Sequence, residues 1–433
     1  MSQIKTLVLA ACSVSGVVGF SGTAHAQAFY LQEQSARGAG RAFSGEVADT
    51  GSQSLWWNPA SIAGIEKAEA AIAASVILPK GDIVNNATLI RRPGQTFVPV
   101  GGQQVSSNPI KNGMLPSGSV ALPLNDRVAV GLALSSPYSF TTNYDSDSWA
   151  RYSADRTKLL TIDIQPSIAF AVTDWLRVGA AVNVEYSYST FSNKLPNVLA
   201  SLPDGEQLLK GNGWDVGWSA GAQMHNNFIT VGVAYKSGIK HHLKGDLTVS
   251  GLLGPLATSN ATLSGIEATF STPAQIIVGA RLRATPRLTL NGQMTRFTWS
   301  DFDAIRIGAP LNTAIPELYR NTLTLAGGVD YRATPKLTVR AGVQHGQTPT
   351  QDGQRDARVP DSNRWNYGVG GTYEVSSRIT VDAGFNYIDF KDASVDRITA
   401  AYAGTAAQTP ILTAGQLTKA HAIVLSLGGR FRF

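Results

Sequence analysis

Residues 29–65, FYLQEQSARGAGRAFSGEVADTGSQSLWWNPASIAGI, decide how the rest of the chain is read. Gly38, Gly40, Gly45, Gly51 and Gly64 interrupt this stretch, so it keeps no clean helical period and holds no strand longer than a few residues. Phe29, Leu31, Phe43, Leu55, Trp56, Trp57 and Ile62 nevertheless make it too apolar for a solvated tail. A compact, irregular, apolar segment needs walls around it to satisfy its backbone groups. The remainder of the chain, on this reading, supplies those walls as a barrel, and residues 27–68 form a plug or hatch within it.

Residues 69–433 carry the period of strands. Leu176, Val178, Ala180, Val182, Val184, Tyr186 and Tyr188 alternate with Arg177, Gly179, Ala181, Asn183, Glu185 and Ser187. Ile379, Val381, Ala383, Phe385 and Tyr387 alternate with Arg378, Thr380, Asp382, Gly384 and Asn386. A soluble antiparallel sandwich alternates too. Runs of 10 to 14 residues exceed its usual strand of about 5–6 and suffice for a tilted membrane strand of about 9–11. Connections alternate short and long, as inner turns and outer loops do in membrane barrels. Short ones fall at 124–127, 172–175, 225–227, 284–287, 333–336 and 375–378. Long ones fall near 85–113, 139–157, 193–212, 251–261, 309–319, 350–363 and 397–418. Six turns and seven loops predict an all-β, transmembrane antiparallel barrel of about 14 strands. Within 194–210, the spacing of Leu195, Val198, Leu199, Leu202, Leu208 and Leu209 predicts short amphipathic helices broken at Pro203. Alternation also shifts phase after Met294, which predicts a bulge near Phe297 and Trp299.

Composition agrees. Charged residues make up 15% of the chain, against about 25% in ordinary soluble domains. The net charge of +6 includes no run of five basic residues, so no nucleic-acid partner is read from it. Lys5, the apolar stretch Leu7 to Phe20 and Ala24-His25-Ala26 predict a secretory signal over residues 1–26. The competing reading is a lipoprotein box ending at Cys12, but only five apolar residues precede that cysteine. With the leader removed, the exported chain has no cysteine for disulfide or thiol chemistry.

Phe29, Leu31, Glu33, Ser35, the run Gly38 to Glu46, and Asn58-Pro59-Ala60 resemble the N-terminal hatch of the FadL-like long-chain fatty-acid transporters of the bacterial outer membrane. Gly211 to Trp214, Gly217 to Gly221, Tyr319-Arg320 and Arg358 to Trp365 extend the resemblance over nearly all of the exported chain. The closing run Ile423 to Phe433, ending on an aromatic carboxyl terminus, resembles the last strand of outer-membrane barrels. The resemblance implies downhill uptake of a long-chain fatty acid through an outer-loop groove, a lumen pocket and a lateral exit. Toluene-type uptake belongs to the same family, so monoaromatic hydrocarbons stay open as the alternative. By carry-over, Phe29 and Leu31 contact ligand, and Asn58, Pro59 and Ala60 hold the hatch. Leu195, Val198, Leu199 and Leu202 line the outer groove, and Lys194, Arg320 and Arg364 are the candidate cations for a carboxylate. Gly131 and Pro137 bend the third strand to open the wall. Expected partners are that apolar solute and the lipid and lipopolysaccharide of the outer membrane, with the protein a monomer and no cofactor.

Catalysis finds little support. His225, His241, His242, His345 and His421 form no metal-ligand spacing, and there is no G-x-S-x-G elbow. An outer-membrane hydrolase and a structural or adhesive barrel remain as readings from other classes.

Overall fold

The computed structural model describes residues 28–433, so the expected leader at residues 1–26 lies outside the described residues. Fourteen antiparallel strands follow, and the first pairs with the last, Glu69↔Arg432 through Asn85↔Gly415, which closes the sheet. In chain order they are β1 (Glu69–Asn85), β2 (Val105–Ser107 and Gly113–Pro123), β3 (Val128–Ser135 and Ser139–Asn143), β4 (Arg156–Ala171) and β5 (Leu176–Leu195). Next come β6 (Gly205–His225), β7 (Ile229–Lys236 and Lys240–Ser250), β8 (Ala261–Ser271 and Gln275–Arg283), β9 (Leu288–Phe297 and Ala304–Ile307) and β10 (Thr313–Pro316 and Thr322–Arg332). The last four are β11 (Leu337–Gly346), β12 (Arg364–Glu374), β13 (Ile379–Phe390 and Ala393–Val395) and β14 (Gly415–Arg432). Closure removes the sheet edges, whose unpaired amides no lipid could satisfy.

The short turns lie where the sequence places them, and they share a local cause. Asn125 Oδ1 accepts from the Arg127 and Val128 amides, each at 2.9 Å. In the repeated Arg-Ala-Thr-Pro turns, Thr285 Oγ1 accepts from the Leu288 amide and Thr334 Oγ1 from the Leu337 amide, both at 3.0 Å. Asn and Thr oxygens here stand in for a backbone acceptor and tighten the hairpin.

The expected helices within 194–210 are absent. β5 runs to Leu195, β6 starts at Gly205, and Gly205↔Leu195 opens a ladder that continues to Met224↔Leu176. The leucine spacing was misleading because strand faces split it: Leu209 is buried against Leu247, Ile266 and Ile307, while neighbouring residues face out. The loop is correspondingly only 196–204.

Several strands break partway up: β3 at 136–138, β7 at 237–239, β8 at 272–274, β9 at 298–303 and β10 at 317–321. The break in β9 is the phase shift expected after Met294. These breaks turn Tyr138, Phe140, Phe270, Phe297, Trp299, Phe302 and Tyr319 into one buried cluster. Outer loop residues Leu89–Ile90, Val98–Pro99, Ile398–Ala401 and Thr409–Leu412 add a small four-stranded sheet.

Residues 28–63 are almost entirely buried against the inward faces of the barrel. Ser35 caps a one-turn helix, α1 (Ala36–Ala39), by accepting from the Gly38 amide at 3.2 Å. Short 3-10 turns follow at Glu46–Ala48, Ser52–Ser54 and Pro59–Ile62. Gly45 and Gly51 take positive φ of 73° and 91°, conformations that side chains resist. The wall yields to this segment through missing side chains. A Cβ at Gly384 would lie 2.8 Å from the Ala36 carbonyl, and one at Gly179 would lie 2.5 Å from the Ala60 nitrogen. Gly221, Gly232, Gly328, Gly342 and Gly368 make equally close approaches to residues 39–58. Much of the chain's glycine is therefore a docking track for the backbone of the lumenal segment.

Candidate functional site

Two differently built regions hold the lumenal segment. Its body is locked by charge. Arg41 donates from Nε to Glu46 Oε1 at 2.9 Å, from Nη2 to Asp49 Oδ2 at 2.6 Å and from Nη1 to Asp330 Oδ2 at 3.0 Å. From the wall, Arg281 reaches Asp49 at 3.2 Å and Asp330 at 2.8 Å, and Arg340 reaches Asp330 at 3.4 Å. Arg37 completes the cluster at 3.3 Å from Asp49. Asn58 adds neutral bonds: Oδ1 accepts from the Ala60 amide at 3.0 Å, while Nδ2 donates to the Val47 carbonyl at 2.8 Å and the Ala222 carbonyl at 3.2 Å. Pro59 opens that turn where no amide is needed, and Ala60 is fully buried. The Asn-Pro-Ala motif is thus a cap that ties two parts of the segment to β6.

Its tip is held otherwise. Phe29 is surrounded by rings, with centroids at 5.0 Å to Trp299, 5.3 Å to Phe302, 5.7 Å to Phe140 and 6.0 Å to Tyr138. Tyr30 lies 4.8 Å from Phe297 and 6.2 Å from Trp56. Leu31 points into a second apolar cluster with Ile77, Leu115, Ile388, Ala422 and Val424. The Ala28 amide donates to Asp361 Oδ2 at 2.8 Å, and Arg364 reaches Asp361 Oδ1 at 3.2 Å.

Beside this tip the barrel wall is interrupted. β2 and β3 pair from Pro123↔Ala129 to Gly118↔Leu134, then separate. They meet again further up, where the Lys111 amide donates to the Thr141 carbonyl at 3.0 Å and the Asn143 amide to the Pro109 carbonyl at 2.8 Å. The orphaned stretch of β3 bonds to the lumenal tip instead. The Leu31 amide donates to the Pro137 carbonyl at 2.7 Å, and the Ser139 amide to the Phe29 carbonyl at 2.9 Å. Gln34 Nε2 donates to the Ser136 carbonyl at 3.1 Å, and Ser117 Oγ to the Gln34 carbonyl at 2.9 Å. A cleft lined by Gln34, Gln53, Trp56, Ile72, Ser117 and Leu134 lies at this seam, with about 20 Å³ of free space, room for a single water. Removing the tip would leave both a ring-lined cavity and an unsealed wall.

The other expected residues are placed as follows. Pro137 sits at the break in β3, but Gly131 lies inside its regular lower half, where a Cβ would meet Leu55 and Ile62 at 2.8 and 2.9 Å. Gly131 admits the lumenal segment and does not bend the strand. Leu195 and Val198 pack with Leu252 and Leu256 between outer loops, whereas Leu199 is exposed and Leu202 half-buried. Lys194 is neutralised by Glu206 at 2.9 Å and Asp155 at 3.7 Å, on the face of β5 opposite the lumen. Arg320 is exposed and donates to the Thr348 carbonyl at 3.2 Å. Of those three cations, only Arg364 is buried beside the tip. Lys236, which no sequence pattern singled out, is buried with Nζ 3.6 Å from the Trp56 ring centroid. Ser187 Oγ lies 3.0 Å from His241 Nδ1, but both residues are fully buried in the wall. Among the described residues no group of His, Cys, Asp and Glu is placed to hold a metal ion.

A closed fourteen-stranded barrel, with an apolar exterior and a folded segment filling its bore, defines a plugged barrel of the outer-membrane class. The chain belongs to the outer membrane protein transport family (OMPP1/FadL/TodX), whose model matches residues 17–433. Outer membrane protein P1 of Haemophilus influenzae is 24% identical over 95% of this chain and 96% of its own. A long-chain fatty acid transport protein of Escherichia coli is 26% identical over 90% of this chain and 92% of its own. The crystal structure of a Pseudomonas aeruginosa FadL homologue superposes with a TM-score of 0.81 at 25% identity, covering 94% of this chain and 100% of that one. The Ralstonia pickettii toluene transporter TbuX has the same fold, with a TM-score of 0.64 at 18% identity over 93% of this chain and 99% of its own.

Proposed function

We propose that this protein takes up long-chain fatty acids passively, and that residues 28–35 are the moving part. The observation that carries this reading is double occupancy: the same eight residues fill the ring cluster and bridge the gap between β2 and β3. An incoming acyl chain enters over the apolar cluster of Leu195, Val198, Leu252 and Leu256, displaces Phe29 from its rings, and leaves sideways past Pro137 into lipid. Displacement exchanges apolar contact for apolar contact, so it needs no nucleotide. Arg364 and Lys236 are the cations that a ligand carboxylate meets near the position of Phe29. Asn58, Pro59 and Ala60 keep the body of the hatch in place while the tip moves. Relatives named for fatty-acid transport, and the likeness to a FadL homologue, favour this solute. One barrel encloses the whole route, so the monomer is the working unit, and the protein performs no chemistry on its solute.

The rings packed around Phe29 favour a second reading, uptake of monoaromatic hydrocarbons. A deletion strain complemented with this chain, grown on oleate and on toluene, separates the two. Growth restored on oleate supports the first, growth restored only on toluene supports the second, and restoration on neither discredits both.

A further inference from the structure

The outward faces of the barrel differ in charge around its circumference. The long loops mark the outer end, which meets the outer leaflet. On β4 to β7 the apolar band ends in rings: Tyr186 lies tilted against Trp214 with centroids 5.1 Å apart, and Trp218 against Tyr235 at 5.0 Å. Immediately beyond these rings the outward positions turn cationic, with Lys158 on β4, Lys210 on β6, and Lys240 and Lys244 on β7. Arg156 stands two residues beyond Lys158. Thr190 of β5 pairs with both Lys158 and Lys210, so the two ammonium groups flank one strand, about 10 Å apart at the backbone. Lys158 Nζ lies 5.5 Å over the Tyr188 ring, and neither Arg156, Lys158 nor Lys210 is ion-paired to a carboxylate among the described residues. Asp246 is the cross-strand neighbour of Lys210, and Glu267 holds Lys244 at 3.1 Å, so the patch stays net positive. The opposite wall is balanced: Lys80, Lys391 and Lys419 are interspersed with Asp82, Asp389 and Asp392, and Asp392 accepts from the Lys419 amide at 3.1 Å.

We propose that the outward face of β4 to β7 is a binding site for the bisphosphorylated disaccharide head of lipid A. A fixed pair of cations separated by one uncharged strand suits two phosphates on one rigid headgroup. The rings below suit its acyl chains, which anchor beside Tyr188 and Trp214. Diffuse positive charge would attract any anionic lipid; the spacing and the aromatic floor select this one. The site would seat lipopolysaccharide beside the outer loops, on the side of the barrel away from the β13, β14 and β1 wall.

The test uses the whole exported protein in nanodiscs, titrated with bisphosphorylated lipid A and read by native mass spectrometry. The comparisons are a triple variant, Arg156→Gln, Lys158→Gln and Lys210→Gln, and a control triple on the opposite wall, Lys80→Gln, Lys391→Gln and Lys419→Gln. The first triple is expected to bind about tenfold more weakly, and the control within twofold of wild type. Monophosphorylated lipid A should bind wild type between those limits. Phosphatidylglycerol and inorganic phosphate should not distinguish wild type from the first triple. Equal binding by wild type and the first triple, equal loss in both triples, or the same response to phosphatidylglycerol would overturn the proposal. Heat-modifiability on gels confirms that each variant is a folded barrel before it is scored.

Discussion

The body and the tip of the lumenal segment are attached to the same barrel by different physics. Residues 36–62 are held by buried ion pairs, an Asn cap and backbone seated on glycine. Residues 28–35 are held mainly by ring contacts and neutral hydrogen bonds to the broken part of β3, with a single anchor to charge where the Ala28 amide meets Asp361. Charged, desolvated contacts are costly to separate because each partner is left buried and unpaired. Ring contacts can be exchanged for contacts with another apolar molecule at little net cost. The difference assigns the roles: the body is a fixed base and the tip is the displaceable part.

The largest effect is expected where the body is cut loose. Arg41→Met leaves Glu46 buried without its ion pair, while Asp49 and Asp330 keep Arg37, Arg281 and Arg340, and should destabilise the lumenal segment by roughly 3–5 kcal/mol. The barrel should stay heat-modifiable on gels while a protease gains access to residues 36–62; unchanged protection would remove the distinction between base and tip. Asn58→Ala loses one cap, one bond within the segment and one to the wall, with an expected cost of about 2 kcal/mol. Uptake of oleate should fall in Asn58→Ala and in Pro59→Ala with the barrel intact, and normal uptake in both would count against a seated base. Gln34→Ala touches only the seam between β2 and β3, so denaturation should barely change while entry of small apolar dyes into bilayer-reconstituted barrels rises a few-fold. Lower dye entry would mean that Gln34 guides solute and does not seal the gap.

The smallest effect concerns the outer cap. Burial pushes the Glu317 carboxyl up to about 7, Arg397 at 3.5 Å pulls it down, and nearby Asp356 pushes it up again. Arg358 also favours its ionised form, and the Tyr319 ring lies beside the group. A carboxyl whose folded-state pKa is raised stabilises the fold below its ordinary value near 4.5. That contribution is lost as pH rises through about 7. Outer-loop proteolysis should therefore be slower at pH 6 than at pH 8 in the wild type. Glu317→Gln should flatten that dependence, and a variant as pH-sensitive as wild type would rule the residue out.

Most of the barrel was legible because its causes are local. Alternation at Leu176 to Tyr188 and the Asn and Thr turn caps at 125, 285 and 334 need only neighbours in sequence. The segment 194–210 failed for the same reason in reverse: its leucine spacing suits a helix, and only the ladder to β6 decides otherwise. Asn58, Pro59 and Phe29 could be named from a resemblance. Arg41's wall partner could not, since Asp330, which Arg281 also holds, reaches it from a strand far along the chain. Gln34 and Lys236 carried no signal, because a seam and a ring-facing cation exist only once strands β2, β3 and β7 are assembled. Inward glycines were visible as the small face of each strand, but their use as a docking track emerges only against the lumenal backbone.

The claim that uptake requires the tip to leave its rings can be tested by tethering it. Tyr30 and Tyr138 form a lone antiparallel bridge between tip and broken strand, and a Tyr30→Cys, Tyr138→Cys variant places two thiols there. Oxidation should stop uptake of labelled oleate, and reduction of the same sample should restore it. Uptake that is equal in the oxidised and reduced samples would show that solute crosses with the tip in place.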